Sequence, residues 1–237
     1  MKISDPMGQA IIDYHRNGKA ARLRVFSPQF DEDEMPLETL FRSYDNMPHI
    51  EQTALQMACG NILDVGAGAG CHSLALQQMN KSVTAIDLSP LSVQAMKERG
   101  VMNATACDFY RMQGKYDTLL MLMNGTGIIG SISNMAHFFA QARRLLNPGG
   151  SILLDSTDIR YVFENEDGSL DINLADGYYG ELQYTMQYKN IKGNAFPWLY
   201  IDFPLLQHYA TQQGFCATLI EEGDEYNYLC QLKDCQQ

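Results

Sequence analysis

The stretch ILDVGAGAGCHSL, residues 62 to 74, joins an apolar strand to a helix through a turn with glycine at every second position. Glycine allows left-handed backbone conformations and lets a ligand approach the main chain closely. The first turn of a helix also offers free N–H groups to a bound anion or polar ligand. In open α/β sheets such turns lie at the carboxyl ends of strands, so the stretch predicts a nucleotide-type cofactor site.

Strand and helix patterns alternate along the chain after this turn begins. Five short, almost wholly apolar segments predict buried strands: NILDV, SVTAID, NATACD, YDTLLMLMN and SILLD. Helical patterns separate several of them, and the clearest has Ser89 as N-cap, Pro90 in its first turn and Gly100 at its end. Apolar strands that lead into helices predict a parallel sheet covered on both faces.

The last third of the chain has a different pattern. ELQYTMQYK (181–189) alternates apolar and polar residues, and FPWLYIDF (196–203) is its expected partner in a hairpin. FCATLIEE and EYNYLCQLK predict a final hairpin that supplies the antiparallel strand of a seven-stranded, mostly parallel sheet. Residues 1–58 are predicted to form a helical cap or lid, with the acidic run DEDE in a solvated loop. Residues 59–237 form the expected main domain, with an inserted β-hairpin at about 178–203.

Composition and charge limit the classes of function. Of 237 residues, 46% are hydrophobic and 19% are charged, which is an ordinary balance for a globular protein. The formal net charge of -11 disfavours phosphate backbones and anionic lipid surfaces, so neither DNA nor a membrane is an expected partner. The six cysteines lack zinc-site spacing, so we expect no metal and reduced thiols in a cytoplasmic protein. The sequence leaves open whether the chain forms a homodimer.

Two kinds of nucleotide cofactor compete for the glycine turn. Dinucleotide-binding turns have the spacing G-x-G-x-x-G, whereas Gly66, Gly68 and Gly70 give G-x-G-x-G. Asp87 ends the second predicted strand and can accept hydrogen bonds from the ribose of either cofactor. Asp64 distinguishes between the two cofactors, because a carboxylate beside the turn would repel the pyrophosphate of a dinucleotide by ~1 to 4 kcal/mol. The same carboxylate would attract the cationic groups of S-adenosylmethionine.

Six segments of the chain together resemble the class I S-adenosylmethionine-dependent methyltransferases, over about residues 58 to 232. They occur in the expected order: ILDVGAGAGCHSLAL, VTAIDLSPLSVQAM, ACDFY, YDTLLMLMNG, LLNPGGSILLD and GFCATLIEEGDEYNYLC. The resemblance implies a Rossmann-like α/β fold, S-adenosylmethionine as cofactor and methyl transfer by in-line displacement. The sulfonium is already activated, so alignment and exclusion of water are the main tasks of the protein.

The resemblance also implies which residues bind the cofactor, all of them at the carboxyl ends of predicted strands. They are Asp64, Gly66, Ala67, Gly68, Gly70, Asp87, Leu88, Asp108, Phe109, Asn124 and Gly125. Asp64 and the glycine turn would hold the methionine part of the cofactor. Asp87 would bind the ribose hydroxyls, with Leu88 packed against the adenine; its alternative role is to cap the following helix.

The third and fourth predicted strands would complete the cofactor site. Asp108 would accept a hydrogen bond from the adenine amino group, with Phe109 near the ring, and Asn124 and Gly125 would border the transferred methyl group. Two structural alternatives remain open at this stage. Asp108 could be a turn carboxylate, and Asn124 could be the first residue of an Asn-Gly turn without a ligand.

Two segments could cover the site. In residues 1–58, Arg42 could pair with the cofactor carboxylate, since a guanidinium matches a carboxylate in shape and charge, and Tyr44 lies close to it in sequence. In the inserted hairpin, Tyr179 and Tyr184 could line a pocket for the methyl acceptor, which would then have an apolar or cationic face. The alternative for the hairpin is a packing surface or a dimer interface.

The acceptor is expected to be a small molecule, but the acceptor atom and any general base stay open. Five residues are candidates for a base or an acceptor contact: His72, His137, Asp155, Asp158 and Tyr179. Asp155 and Asp158 are the candidates from the fifth strand, and no residue is assigned as catalytic. The alternatives are a protein or RNA methyltransferase, a protein that binds the cofactor without transferring methyl, and a nicotinamide-dependent reductase.

Overall fold

The computed structural model describes residues 4–165, 167–170, 172 and 177–235. Within them the chain forms two β-sheets and six α-helices, joined by short 3-10 turns. The helices are α1 Pro6–Asn17, α2 His49–Met57, α3 Cys71–Gln78, α4 Pro90–Arg99, α5 Met135–Leu145 and α6 Phe203–Gln212. The strands are β1 Leu23–Phe26, β2 Asp33–Met35, β3 Asn61–Val65, β4 Ser82–Asp87, β5 Ala104–Ala106, β6 Tyr116–Met121, β7 Leu146–Thr157, β8 Glu181–Tyr188, β9 Ile191–Lys192, β10 Phe196–Leu199, β11 Phe215–Glu222 and β12 Asn227–Asp234.

The larger sheet has seven strands in the order β11-β12-β7-β6-β3-β4-β5. The five strands from β5 to β7 run parallel, and β12 is antiparallel to both β7 and β11. This confirms the predicted seven-stranded, mostly parallel sheet with a C-terminal antiparallel hairpin. The chain moves outward from β3 to β5 and then returns to place β6 on the other side of β3. That reversal puts the end of β3 at the position where open α/β sheets bind ligands.

Helices cover both faces of the larger sheet, as the apolar strands require. Side chains alternate along each strand, so Leu119 and Ile152 pack in the cluster that contains α5 and α6. Leu120 and Leu153 point to the opposite face and pack in the cluster that contains α2 and α3. Two buried faces explain why these strands are continuously apolar instead of alternating.

The second sheet joins the N-terminal segment to the inserted hairpin, two parts of the chain that the sequence analysis treated separately. Its path is β10-β8-β1-β2, and β9 pairs with β8. The predicted pairing of the inserted hairpin is confirmed, since Phe196 lies opposite Tyr184. The N-terminal segment was predicted as a helical cap, but it also supplies β1 and β2, and β1 pairs with β8 so that Leu23 lies opposite Tyr188.

Two smaller expectations are wrong. The acidic run at 31–34 is not entirely a loop, because Asp33 and Glu34 belong to β2, where both side chains are exposed at the edge of the second sheet. The cysteines are not all reduced, because Cys216 and Cys235 form a disulfide with a Cα–Cα distance of 5.7 Å. The register of the last hairpin brings these cysteines together, which their spacing in the sequence does not reveal.

Among the described residues, no helix has the length and apolar character needed to cross a membrane.

Candidate functional site

The glycine turn after β3 has the backbone conformation that its sequence predicts. Gly66, Gly68 and Gly70 have φ angles of 72°, 55° and 81°, a region that is unfavourable for residues with a Cβ atom. Space is also limited, since a Cβ on Gly70 would lie 2.9 Å from the side chains of Met96 and Val101. The turn therefore holds its backbone close to α4 and leads directly into α3, which begins at Cys71.

Asp87 joins the end of β4 to the glycine turn. Its Oδ2 accepts a hydrogen bond from the Gly68 N–H at 2.9 Å, and its Oδ1 accepts from the Ser89 N–H at 2.8 Å. Burial, and to a smaller degree the nearby carboxylates of Asp5 and Asp64, raises the pKa of Asp87 to about 6. Asp87 is half-buried, and it links the glycine turn to Ser89, the N-cap residue of α4.

The N-terminal helix reaches this end of the site. The Asp5 carboxylate caps α1 by accepting from the Gly8 N–H at 2.8 Å, and it also accepts from the Ser89 hydroxyl at 2.5 Å. Gly8 faces the same hydroxyl, because an added Cβ would lie 2.1 Å from Ser89 Oγ. The start of α1 thus packs on the start of α4, next to Asp87.

A buried group of charged residues lies behind the glycine turn. Glu51 of α2 accepts a hydrogen bond from the Arg42 guanidinium, and its other oxygen lies 2.7 Å from His72 Nε2. Burial opposes charge on His72, but the contact with Glu51 and the charge of Asp64 raise the pKa of His72. Burial likewise opposes charge on Glu51, yet the contacts with His72 and Arg42 lower its pKa. The raised pKa of His72 and the lowered pKa of Glu51 both favour a charged His72–Glu51 pair.

Asp64 and Arg42 place an acidic and a basic side chain near the turn. Asp64 is 2% exposed, and its Oδ2 accepts from the Ser73 hydroxyl at 2.6 Å. Burial raises the pKa of Asp64. Arg42 has its Nε atom buried without a hydrogen-bond partner among the described residues. An unpaired N–H of a buried guanidinium is unfavourable, so a negatively charged group that reached this atom would stabilise it.

The residues predicted for the adenine occupy two different environments. Leu88 is 75% exposed just after the end of β4. Asp108 caps the turn that follows β5, because its Oδ1 accepts from the Tyr110 N–H at 2.9 Å. Phe109 is 3% exposed and packs against Phe138, so its ring belongs to the core of the larger sheet.

The end of β6 has a strained backbone held by Asp155. Met123 and Asn124 have positive φ angles of 64° and 59°, which non-glycine residues adopt at a cost of order 1–3 kcal/mol each. Asp155 Oδ2 accepts from the Met123 N–H at 3.1 Å, and Oδ1 accepts from the Gly125 N–H at 2.9 Å. Burial raises the pKa of Asp155 to about 6. Asp155 therefore positions the loop, with its own oxygens already occupied by backbone N–H groups.

The side chain of Asn124 belongs to a network that joins three elements. Its Oδ1 accepts from Ser156 Oγ of β7 at 3.2 Å, and its Nδ2 donates to the Leu199 carbonyl of β10 at 3.2 Å. Thr126 Oγ1 donates to the same carbonyl at 3.0 Å and lies 2.7 Å from Ser156 Oγ. The inserted hairpin is thereby attached to the ends of β6 and β7.

The structure brings together two of the residues predicted to contact the acceptor. The Tyr179 hydroxyl donates to Asp158 Oδ1 at 2.7 Å, at the carboxyl end of β7. The Tyr184 hydroxyl lies 3.5 Å from that of Tyr200. Burial raises the pKa of Tyr184, and that of Tyr200 as well, so both hydroxyls are neutral donors at physiological pH. Tyr184 shares one face of the second sheet with Phe196 and other aromatic side chains.

Other sequence-predicted residues lie outside this grouping. Tyr44 packs on α2, where its hydroxyl accepts from Gln56 Nε2 at 2.8 Å. His137 is stacked on Tyr110 with ring centroids 4.5 Å apart. Within the described residues no group of three or more His, Cys, Asp or Glu side chains could hold a metal ion.

Sequence reasoning missed two residues that organise the site. Glu51 lies in an ordinary helical segment, and only its contacts with Arg42 and His72 distinguish it. Arg99 is the last residue of α4, and it donates to the carbonyls of Ala69 in the glycine turn and of Leu40 in the N-terminal segment. A basic residue near a helix C-terminus is common, so the sequence carries no signal for that role.

Comparison with known proteins agrees with this architecture. A family model described as "Methyltransferase domain" matches residues 62–150. A solved S-adenosylmethionine-dependent methyltransferase from Bacteroides fragilis, in complex with S-adenosyl-L-homocysteine, is 55% identical with a TM-score of 0.92. The match covers 98% of this chain and 95% of that one. The chain belongs to the class I S-adenosylmethionine-dependent methyltransferases.

More distant curated relatives resemble only part of the chain. A ubiquinone biosynthesis O-methyltransferase from Xanthomonas oryzae is 29% identical over 108 residues, which is 43% of this chain and 45% of the relative. A demethylmenaquinone methyltransferase from Tropheryma whipplei is 29% identical over 99 residues, or 39% of this chain and 40% of the relative. The chain thus matches less than half the length of these relatives.

Proposed function

We propose that this protein transfers the methyl group of S-adenosylmethionine to a small-molecule acceptor. The observation that carries the proposal is the nearly full-length match to a methyltransferase that was solved with the demethylated cofactor. The glycine turn supports it, because Gly68 and Asp87 are joined at the reversal point of the sheet.

The residues at this edge of the larger sheet fit the cofactor in shape and charge. We propose that Gly66, Ala67, Gly68 and Gly70 hold its methionine part, with Asp64 on the side of its cationic groups. The buried Nε of Arg42 has no partner among the described residues, and a carboxylate would supply one. A carboxylate is the anionic end of the cofactor, so we assign Arg42 to that end.

The nucleoside part would lie along the ends of β4 and β5. Asp87 is the proposed acceptor for the ribose hydroxyls, and the exposed Leu88 would be covered by the adenine. Asp108 uses one oxygen on the Tyr110 N–H, and we propose that its other oxygen accepts from the adenine amino group. The ring of Phe109 packs in the core, so this residue would border the adenine with its backbone.

The acceptor would lie at the sheet edge bordered by Asn124, Gly125 and the aromatic face of the second sheet. Asn124 and Gly125 are held in place by Asp155, and the aromatic face that carries Tyr184 lies on the hairpin attached to them. Tyr179 and Asp158 offer a hydroxyl and a carboxylate at the same edge. Aromatic rings and carboxylates at this edge would bind an acceptor with an apolar or cationic face. No residue is assigned as a catalytic base.

The cofactor supplies an activated methyl group, so the protein has to align the acceptor and exclude water. Residues 1–58 and the inserted hairpin at about 178–203 are the proposed cover, and residues 59–237 the transferase domain. The pairing of β1 with β8 supports a joint cover, because it links both segments in one sheet. We further propose a cytoplasmic protein without a DNA or membrane partner.

The relatives suggest a first set of acceptors to test. The curated ones are named as a ubiquinone biosynthesis O-methyltransferase and a demethylmenaquinone methyltransferase. Phenolic or quinol-type molecules present the planar apolar face that an aromatic pocket would bind. The net charge of -11 argues against nucleic acid.

The proposal is tested by supplying methyl-labelled S-adenosylmethionine together with separated metabolite, protein and nucleic acid fractions. We expect label in the metabolite fraction with the intact protein and much less with Asp87→Asn at the same subsaturating cofactor concentration. Label confined to the protein or RNA fraction would replace the small-molecule acceptor with a macromolecule. Binding of S-adenosylhomocysteine without transfer to any fraction would favour a cofactor-binding protein.

A further inference from the structure

One arginine outside the predicted site connects the glycine turn to the N-terminal segment. Arg99 Nη1 donates to the carbonyl of Ala69, which lies between two glycines of the turn. The same guanidinium reaches the carbonyls of Leu40 and Phe41, at 3.5 and 3.4 Å. It also stacks on the Phe41 ring, 4.6 Å from the ring centroid. We call residues 37–42 the N-terminal strap.

The strap lies directly over the turn. Leu40 is 6% exposed and packs in one cluster with Ala69 and with Ala95 of α4. A Cβ placed on Gly68 would lie 3.8 Å from the Leu40 side chain, so the strap borders the middle of the turn. The strap ends at Arg42, whose guanidinium pairs with Glu51. Any movement of the strap therefore moves both a wall of the cofactor site and Arg42.

The contacts of Arg99 are suited to this connection. A guanidinium has five donors in a fixed plane, so it can serve several carbonyls at once while its face stacks on an aromatic ring. These carbonyls belong to a 3-10 turn and a glycine turn, where backbone partners are scarce. In contrast, no residue of α4 before Arg99 donates a side-chain hydrogen bond to the strap or to the turn within the described chain.

We propose that Arg99 is a positioning residue that holds the N-terminal strap on the glycine turn and thereby sets the affinity for the cofactor. The proposal rests on the proposed function, since it concerns the same cofactor site. Arg99 contacts the turn through the carbonyl of Ala69 and acts on the cofactor only through the turn and the strap.

The test is isothermal titration of S-adenosylhomocysteine into the full chain and its Arg99→Gln variant. We expect the Kd to rise roughly 5- to 30-fold, within the usual range of coupling between two sites. Arg99→Lys keeps the charge but loses the planar fork, so it should recover part of the affinity. Chymotrypsin should also cleave faster at Phe41 in Arg99→Gln, and saturating S-adenosylhomocysteine should slow that cleavage.

A matched control is available at the opposite end of the fold. Arg143 of α5 donates to Asp234 and to the Gln213 carbonyl, both at 2.6 Å, and stacks on Phe215 at 4.8 Å. Arg143→Gln should lower the melting temperature and leave the Kd unchanged. Phe41→Ala should raise the Kd, and combining it with Arg99→Gln should give less than the product of the two effects.

The outcomes separate the inference from the function. If Arg99→Gln and Phe41→Ala both bind S-adenosylhomocysteine within twofold of the unaltered chain, Arg99 has only a structural role and the inference is wrong. If the unaltered chain itself does not bind S-adenosylhomocysteine, the proposed function is wrong. If Arg99→Gln does not fold, Arg99→Lys and Phe41→Ala give the answer.

Discussion

Replacing Asp87 by asparagine should weaken cofactor binding more than any other single amide-for-acid change at the site. The carboxylate accepts from the N–H groups of Gly68 and Ser89, and its remaining lone pairs are the proposed acceptors for two ribose hydroxyls. Hydrogen bonds to a charged group contribute about 1.5–3 kcal/mol. The asparagine would keep one acceptor oxygen but would turn an NH2 group toward one of the two backbone N–H groups.

Losing that contribution corresponds to a Kd for S-adenosylhomocysteine that is roughly ten- to hundredfold higher. Isothermal titration at pH 7.5 measures it directly, and methylthioadenosine should lose affinity by a similar factor because it contains the same ribose. Asp117→Asn is the control: Asp117 also accepts from a backbone N–H, that of Asn61 at 2.7 Å, but at the opposite edge of the sheet. A Kd for Asp87→Asn within twofold of the unaltered chain would remove Asp87 from the ribose site.

The raised pKa of Asp87 adds a pH dependence with a definite sign. The carboxyl has an ordinary pKa of 3.8 and a pKa of about 6 in the folded chain, so its contribution to stability is fully present below 3.8 and is lost as the pH rises through 6. Cofactor binding should depend on pH in the opposite direction, because the ribose hydroxyls would donate to the ionised carboxylate of Asp87. The Kd should therefore be constant above pH 6 and should rise by up to about tenfold per unit below it. Asp87→Asn should abolish this dependence, and an unchanged pH profile in that variant would contradict the assignment.

Two further changes test the remaining parts of the site. Arg42→Gln should raise the Kd for S-adenosylhomocysteine by roughly ten- to hundredfold, since a charged hydrogen bond is lost. The Kd for methylthioadenosine should not change, because that nucleoside has no carboxylate. Equal losses of affinity for both ligands would place Arg42 outside the carboxylate site. Asp155→Ala should lower the free energy of unfolding by about 2 kcal/mol or more, because the buried N–H groups of Met123 and Gly125 would each lose their acceptor. Urea denaturation measures this loss, and Asp158→Ala, at a more exposed position, should cost less; equal stability for Asp155→Ala and the unaltered chain would show that Asp155 does not hold the loop.

Local patterns were sufficient for the larger sheet and for the position of the cofactor turn. Its central parallel strands are mainly apolar, and some helix boundaries have a local signal, such as Ser89 and Gly100 at the two ends of α4. Glycines with positive φ can be expected from the sequence because few other residues tolerate that conformation. These features depend on neighbours within a few residues, so the sequence alone determined them.

Tertiary structure alone decided how the site is enclosed and held. The pairing of β1 with β8 joins residues that are far apart in the chain. The edge strand β2 contains acidic residues, and such a sequence is typical of a loop. Arg99 and Glu51 acquire their contacts only when α4, α2 and the strap come together. Asp155 looked like a residue for the acceptor, but its oxygens bind the strained turn after β6. A periodic pattern records which face of an element is buried, whereas such contacts depend on the three-dimensional position of a distant backbone group, which no local pattern encodes.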